Sequence, residues 1–171
     1  MACSATLNGL ANTCENSLGG IKKVLFAPYQ ALADSAISGG VITTLEESPF
    51  KSYYTKKNVS NMVSTYNIDG ANGTNYVSTE LNVVFAKMTA EKRVEVNALA
   101  TGDLRAVVID ANGNGWYLGA DEALIMTAGT GETGTAKADG NKFSLTFTDE
   151  SMQMPFPLSA DLTKTFLGLE Q

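Results

Sequence analysis

The sequence predicts a mainly β fold, an antiparallel β-sandwich or barrel with one short flanking α-helix and extended arms and loops. Three observations carry that expectation. Residues 77–85 and 143–148 alternate apolar and polar side chains with the two-residue period of a half-buried strand. Asp-Gly and Asn-Gly turn signals separate the β-prone runs. One stretch, 90–100, carries helical spacing, so the regular strand–helix alternation of a parallel sheet is missing.

Taken in order, residues 1–19 are rich in Asn, Ser and Ala, lack a pattern that would tie them to a core, and read as an N-terminal arm. Residues 20–154 form the predicted domain. Its first strand is Ile21-Lys22-Lys23-Val24-Leu25-Phe26-Ala27, closed by Pro28, which has no amide to donate to a ladder. Ser38-Gly39-Gly40 predicts a turn before a short strand at 41–44. Extended segments follow at 50–55 and 58–68, the second with Met62, Ser64, Tyr66 and Ile68 on one face, and Asp69-Gly70 with Asn72-Gly73 turns the chain.

In the next strand Val77, Thr79, Leu81, Val83 and Phe85 are the expected core face. Thr89 is placed to N-cap a helix over 90–100, with Glu91 at the positive end of its dipole and Val96, Leu99 and Ala100 as its apolar stripe. Two β runs, 104–110 and 116–119, flank an Ala111-Asn112-Gly113-Asn114-Gly115 turn, and 122–127 reads as another strand. A Gly- and Thr-rich loop is expected over 128–141. Phe143, Leu145 and Phe147 then mark an edge or half-buried strand, and Pro155 and Pro157 end regular pairing. Residues 155–171 form a C-terminal extension whose Leu158, Leu162, Phe166, Leu167 and Leu169 are too apolar for a solvated linker.

The 171 residues suffice for one core, burying roughly 70% of the surface of the unfolded chain. Charged residues are only 18%, below the roughly 25% usual for soluble domains, so Ser, Thr, Asn and Gly must finish a surface that favours association. A net charge of -6 disfavours general binding to phosphate backbones, which needs clustered Lys and Arg. The basic pairs Lys22-Lys23 and Lys56-Lys57 read as solvated sheet positions. Cys3 and Cys14 read as free thiols before they read as a disulfide scaffold. The opening residues lack the basic start and apolar run of about 7–15 residues of a secretory signal, and no stretch approaches the roughly 20 apolar residues of a membrane span. The expectation is a protein without a membrane anchor, made in a cytoplasm.

Histidine is absent, which removes the commonest general base and the Ser-His and Cys-His nucleophile pairs. With no acid–base pair or oxyanion signal to name, no catalytic residue and no cofactor are expected. Gly129-Thr130-Gly131-Glu132-Thr133-Gly134 satisfies the dinucleotide-binding spacing, but 135–140 is a poor helix and the pyrophosphate needs a helix N-terminus there. Asp110, Asn112 and Asn114 match the start of a calcium loop, with Asp121 at the twelfth position. The β-prone flanks Val107-Val108-Ile109 and Trp116-Tyr117-Leu118 favour a hairpin turn instead. Of Trp116 and Tyr117, which point to opposite faces, one is expected in the core and the other at a surface or interface.

One series of segments resembles a known family: Gly19-Gly20-Ile21-Lys22-Lys23-Val24, the run from Leu81 through Val83-Val84-Phe85-Ala86-Lys87-Met88-Thr89 to Arg93, Gly115-Trp116-Tyr117-Leu118-Gly119, and Ala128-Gly129-Thr130 through Ala136. Over about residues 19–150 the chain is similar to the major tail, or tail tube, structural proteins of long-tailed bacteriophages; 30–44 and 158–171 lie outside the likeness. The resemblance implies a virion structural protein, made in the host bacterial cytoplasm, whose copies form rings, usually hexameric, stacked into a tube that conducts DNA during ejection. Its partners would be itself, other tail proteins, and genomic DNA passing without specific binding. The arm 1–19, the segment near 38–75 and the chain after Met154 are the expected connectors, and Glu80, Asp103 and Asp121 are candidates for a negative lumen that repels phosphate. A neck or connector protein on the same domain fits the same residues. From a different class, so does a calcium- or glycan-binding β-domain.

Overall fold

The computed structural model describes residues 9–10, 17–56 and 58–169. Cys3, Cys14, Lys57 and most of the 1–19 arm lie outside the described residues. The strands are β1 (Ile21–Pro28), β2 (Ile37–Ser38), β3 (Val41–Ile42), β4 (Lys51–Tyr53), β5 (Asn61–Asp69), β6 (Thr74–Ala86), β7 (Leu104–Asp110), β8 (Gly115–Leu118), β9 (Ile125–Glu132), β10 (Lys142–Ser151) and β11 (Phe156–Pro157). The helices are α1 (Ala90–Thr101) and α2 (Ala160–Gly168). The fold is mainly β and antiparallel, as the alternation and turn signals predict. Among the described residues it has two α-helices where one was expected.

Two sheets form the sandwich. One has the order β11-β8-β7-β1-β4 and the other β5-β6-β10-β9, with β2 and β3 as a small separate hairpin. Between them lies a core of Val24, Phe26, Leu81, Val83, Phe85, Ala106, Val108, Leu118, Leu145 and Phe147, with Phe26 and Phe147 rings 4.8 Å apart across the gap. The predicted core face of β6 is all buried, from Val77 through Phe85. The five-stranded sheet has a second covered face. Leu25, Ala27, Val107, Ile109 and Tyr117 pack there against Ile42, Phe50, Leu158 and Phe166. The molecule is therefore three layers deep, and β1 and β7 are middle-layer strands buried on both faces, which is why they read as unbroken apolar runs while β6 and β10 alternate.

The third layer is the C-terminal extension and the segment between β1 and β4. Ser159 N-caps α2, accepting a hydrogen bond from Leu162 N at 3.4 Å. At its other end the orphan carbonyls are met by a lysine. Lys23, only 3% exposed, donates from Nζ to the carbonyls of Phe166 (3.0 Å), Leu167 (3.2 Å) and Leu169, and Ser52 donates to Leu169 O at 2.8 Å. A cation at a helix C-terminus both satisfies those acceptors and complements the dipole. Lys23 is thus a buried cap and not a solvated sheet position. Pro157 does not end pairing either: Phe156 and Pro157 pair with Tyr117 and Trp116, at the edge where a missing amide is tolerated.

α1 carries the chain from the four-stranded sheet to the five-stranded one. Thr89 caps it as expected, accepting from Lys92 N at 3.3 Å, and Leu99 enters the core with Val96 half-buried beside it. Ala100 is exposed, so the stripe is narrower than the spacing predicts because the helix meets the sandwich through Val96 and Leu99. The larger correction is β9. Strand pairing runs through Gly129 and Gly131 to Glu132, into what composition marked as loop. A Cβ on Gly131 would lie 3.0 Å from the Phe143 ring and one on Gly129 3.2 Å from Leu145, so these glycines let the strand lie close to bulky neighbours. β10 consequently sits between β6 and β9 and is an interior strand, half-buried but not an edge.

Candidate assembly interface

The two sheets treat their edges differently. The five-stranded sheet ends in β11, two residues long, and β4, three residues long, and short edge strands offer little template for another chain. The four-stranded sheet ends in β5, nine residues long, and β9, eight residues long. β5 reads Asn-Met-Val-Ser-Thr-Tyr-Asn-Ile-Asp and β9 Ile-Met-Thr-Ala-Gly-Thr-Gly-Glu, so the first charge in each comes at its last residue, Asp69 or Glu132. Neither carries Pro, and nearly all of β9 is exposed. These are long, uncharged, open edges.

Near the turn, the β5–β6 hairpin outreaches the sandwich. Met62 and Ser64 face inward, and Ser64 Oγ lies 2.8 Å from Thr79 Oγ1, but Tyr66 and Ile68 on that same face are 49% and 74% exposed. Register holds the predicted face of β5 together while the core stops under its first half. The tip is a built turn. Asp69 accepts from Ala71 N (2.9 Å), Asn72 N (3.3 Å) and Asn72 Nδ2 (2.5 Å), bonds that hold its carboxyl below the usual range, the Asn72 side chain contributing most, and Gly73 supplies φ +68°.

The outer face of the same sheet is a field of hydroxyls and amides. Asn82 Nδ2 donates to Glu80 Oε1 (2.8 Å), Thr146 Oγ1 to Asn82 Oδ1 (2.7 Å), and Thr127 Oγ1 lies 3.0 Å from Thr148 Oγ1. Thr127 reaches there because β9 bulges between Met126 and Ala128, whose partners Phe147 and Thr146 are consecutive. A shallow groove of about 410 Å³ runs along this face between Asn61 and Asn82. Lys142, held by Glu132 at 2.8 Å, sits at its border, while Glu80 and Glu150 lie on the face itself.

The structure separates the proposed negative residues. Glu80 is on this outer face, whereas Asp103 and Asp121 meet around Tyr29, which donates from its amide to Asp103 O (2.9 Å) and from its hydroxyl to Asp121 O (3.2 Å). Near Asp121 is Asp149, which beside Glu150 and Ser151 reads in the sequence as a solvated loop charge but lies within β10. Asp149 is buried, with one oxygen, Oδ1, lacking a hydrogen-bond partner. Burial first, then Asp121, Glu122 and Glu150, push its carboxyl up to about 6, against the hydrogen bond from Gly119 N. Its inward direction follows from the alternation of Phe143, Leu145 and Phe147, a signal the sequence did contain.

The calcium-loop residues come apart in the same way. Asp110 accepts from Asn114 N (2.8 Å), Asn114 Nδ2 (3.2 Å) and Trp116 Nε1 (3.3 Å), which closes the β7–β8 turn. Asn112 clasps the backbone of Leu18 by two bonds, of 2.8 and 3.0 Å, tying the end of the arm to that turn. Asp121 lies beyond β8, at the open end of the hairpin. Among the described residues no group of three or more Cys, Asp or Glu is placed to hold a metal ion. Trp116 and Tyr117 both pack inward, one against each core. The nucleotide-like spacing at 129–134 is spent on β9 and the turn at Gly134, with no helix after it. Among the described residues no helix is long and apolar enough to cross a membrane. Comparison with family models, with curated proteins and with solved structures finds no match for the chain.

Proposed function

We propose that this chain is a non-catalytic virion subunit whose four-stranded sheets join edge to edge into a ring, and that the rings stack as a phage tail tube conducting DNA. The observation that carries the reading is the pair of long, uncharged, open edges on one sheet. Strands in the order β5-β6-β10-β9 alternate in direction, so an even count leaves β5 and β9 running opposite ways. Copies related by rotation then set β9 of one beside β5 of the next in antiparallel register, a head-to-tail contact that closes a ring. The extended β5–β6 tip, with Tyr66, Ile68 and Tyr76 exposed, reaches beyond the sandwich toward a neighbour.

The chemistry of the outer face supports passage of DNA without capture. Its hydroxyls and amides stay hydrated, Glu80 and Glu150 repel phosphate, and the bordering Lys142 is paired. Sedimentation velocity over a wide concentration range tests the assembly: a discrete ring species that gives way to longer particles is expected, and a monomer at every concentration contradicts it. A gel shift with duplex DNA at low salt tests the face. No retention is expected, and strong retention would mean a binder.

A further inference from the structure

We propose that the pocket formed by the connection from β1 to β4, beside Arg105, is a carboxylate-binding site. Arg105 is 3% exposed, and none of the ion pairs among the described residues includes it. Its Nη2 donates to Gln30 Oε1 at 3.0 Å, its guanidinium carbon lies 5.0 Å from the centre of the Phe50 ring, and its Nε has no acceptor. Burial raises the pKa of the Tyr117 hydroxyl on the same side of the sheet, and the neighbouring Arg105 guanidinium opposes that rise. A guanidinium taken out of water without a counter-ion is expensive, and neither a neutral amide nor a ring face replaces one. The charge faces a cavity of about 390 Å³ lined by Gln30, Ala33, Ser35, Thr44, Glu46 and Arg105.

The guanidinium on the lining sets the ligand's chemistry. Two parallel N–H donors match the two oxygens of a planar carboxylate. Glu46 on the lining opposes the second charge of a phosphate. The hydroxyls of Ser35 and Thr44 are available to a carboxylate's remaining lone pairs. The ligand is either a free carboxylate ion or the carboxylate side chain of a second copy, and one experiment separates these sources.

The whole chain is titrated with sodium acetate against sodium chloride at constant ionic strength, with saturation-transfer NMR on the acetate methyl and sedimentation velocity in parallel. Transfer to acetate is expected in the native chain, with at least a tenfold loss in Ala33→Leu, which adds bulk to the pocket lining and leaves Arg105 in place, and in Arg105→Gln where that variant folds. If acetate also weakens self-association, the native ligand is a carboxylate of the second copy; unchanged association identifies a free ion. Absence of transfer together with unchanged association overturns the proposal, as does transfer undiminished in Ala33→Leu. Glu46→Gln is the internal control: a fall in melting temperature there, with new acetate binding, would make Glu46 the counter-ion and the site self-filled.

Discussion

Burial holds the Asp149 carboxyl near 6 in the folded protein, above the 3.8 of a free side chain, so folding takes up a proton between those values. The favourable contribution is therefore complete below about pH 4 and lost as pH rises through 6, an effect on the order of 2–3 kcal/mol. Asp149→Asn keeps the acceptor for Gly119 N and removes the charge. Denaturant melts of the variant should be flatter than the native chain between pH 4 and 6, and at pH 7 it should be as stable or more so. An unchanged slope would place the titration elsewhere. Lys23 acts in the opposite sense, because its ammonium is fully hydrogen-bonded at the end of α2. Lys23→Met should cost about 2–3 kcal/mol in a urea melt, the scale of buried charge-assisted bonds. The inward direction of Asp149 was legible in the alternation of β10, but the role of Lys23 was not. Lys22-Lys23 is indistinguishable from a solvated pair until one knows that β1 has a third layer on the Lys23 side.

At the scale of elements, the C-terminal extension is a working part of the fold. Phe166 is fully buried and its ring stands edge-on to Phe50 at 5.1 Å, so Phe166→Ala should cost about 3–5 kcal/mol. Gly115 makes the docking possible, since a Cβ there would lie 2.9 Å from Thr163 Oγ1 and 3.2 Å from Leu158 Cβ. Gly115→Val should loosen α2, read as faster amide exchange in residues 160–168 while β6 and β10 stay protected; equal protection in both would contradict that docking. The sequence carried a signal for this helix in Ser159 followed by Asp161, Leu162 and Phe166, but a nine-residue helix between a proline and the chain end is easily read as tail. The strong elements were legible because one force set each of them: alternation set β6 and β10, and Thr89 set α1. β9 was not, because glycine marks loops and close approaches alike, and only the Phe143 and Leu145 side chains across the ladder decide between them.

At the scale of the molecule, layering explains which edges are guarded. The five-stranded sheet is sealed by α2 and by its own short edge strands, so the four-stranded sheet is the one left free to pair. Individual strand patterns cannot show this, since whether a strand is an edge depends on the order of the others. The site residues suggested by charge alone, Glu80, Asp103 and Asp121, fall on different parts of the surface for the same reason. If pairing of β5 with β9 builds the ring, a charge at an exposed, outward position of either edge should abolish assembly and leave the fold intact. Val63→Lys on β5 and Thr130→Lys on β9 are such changes, and each should melt within about 0.5 kcal/mol of the native chain. The most direct measurement is negative-stain electron microscopy of the native chain beside these two variants at matched concentration. Rings or tubes with a central hole in the native sample and separate particles in both variants are the predicted result, and native monomers at every concentration, or rings that survive both lysines, would contradict it.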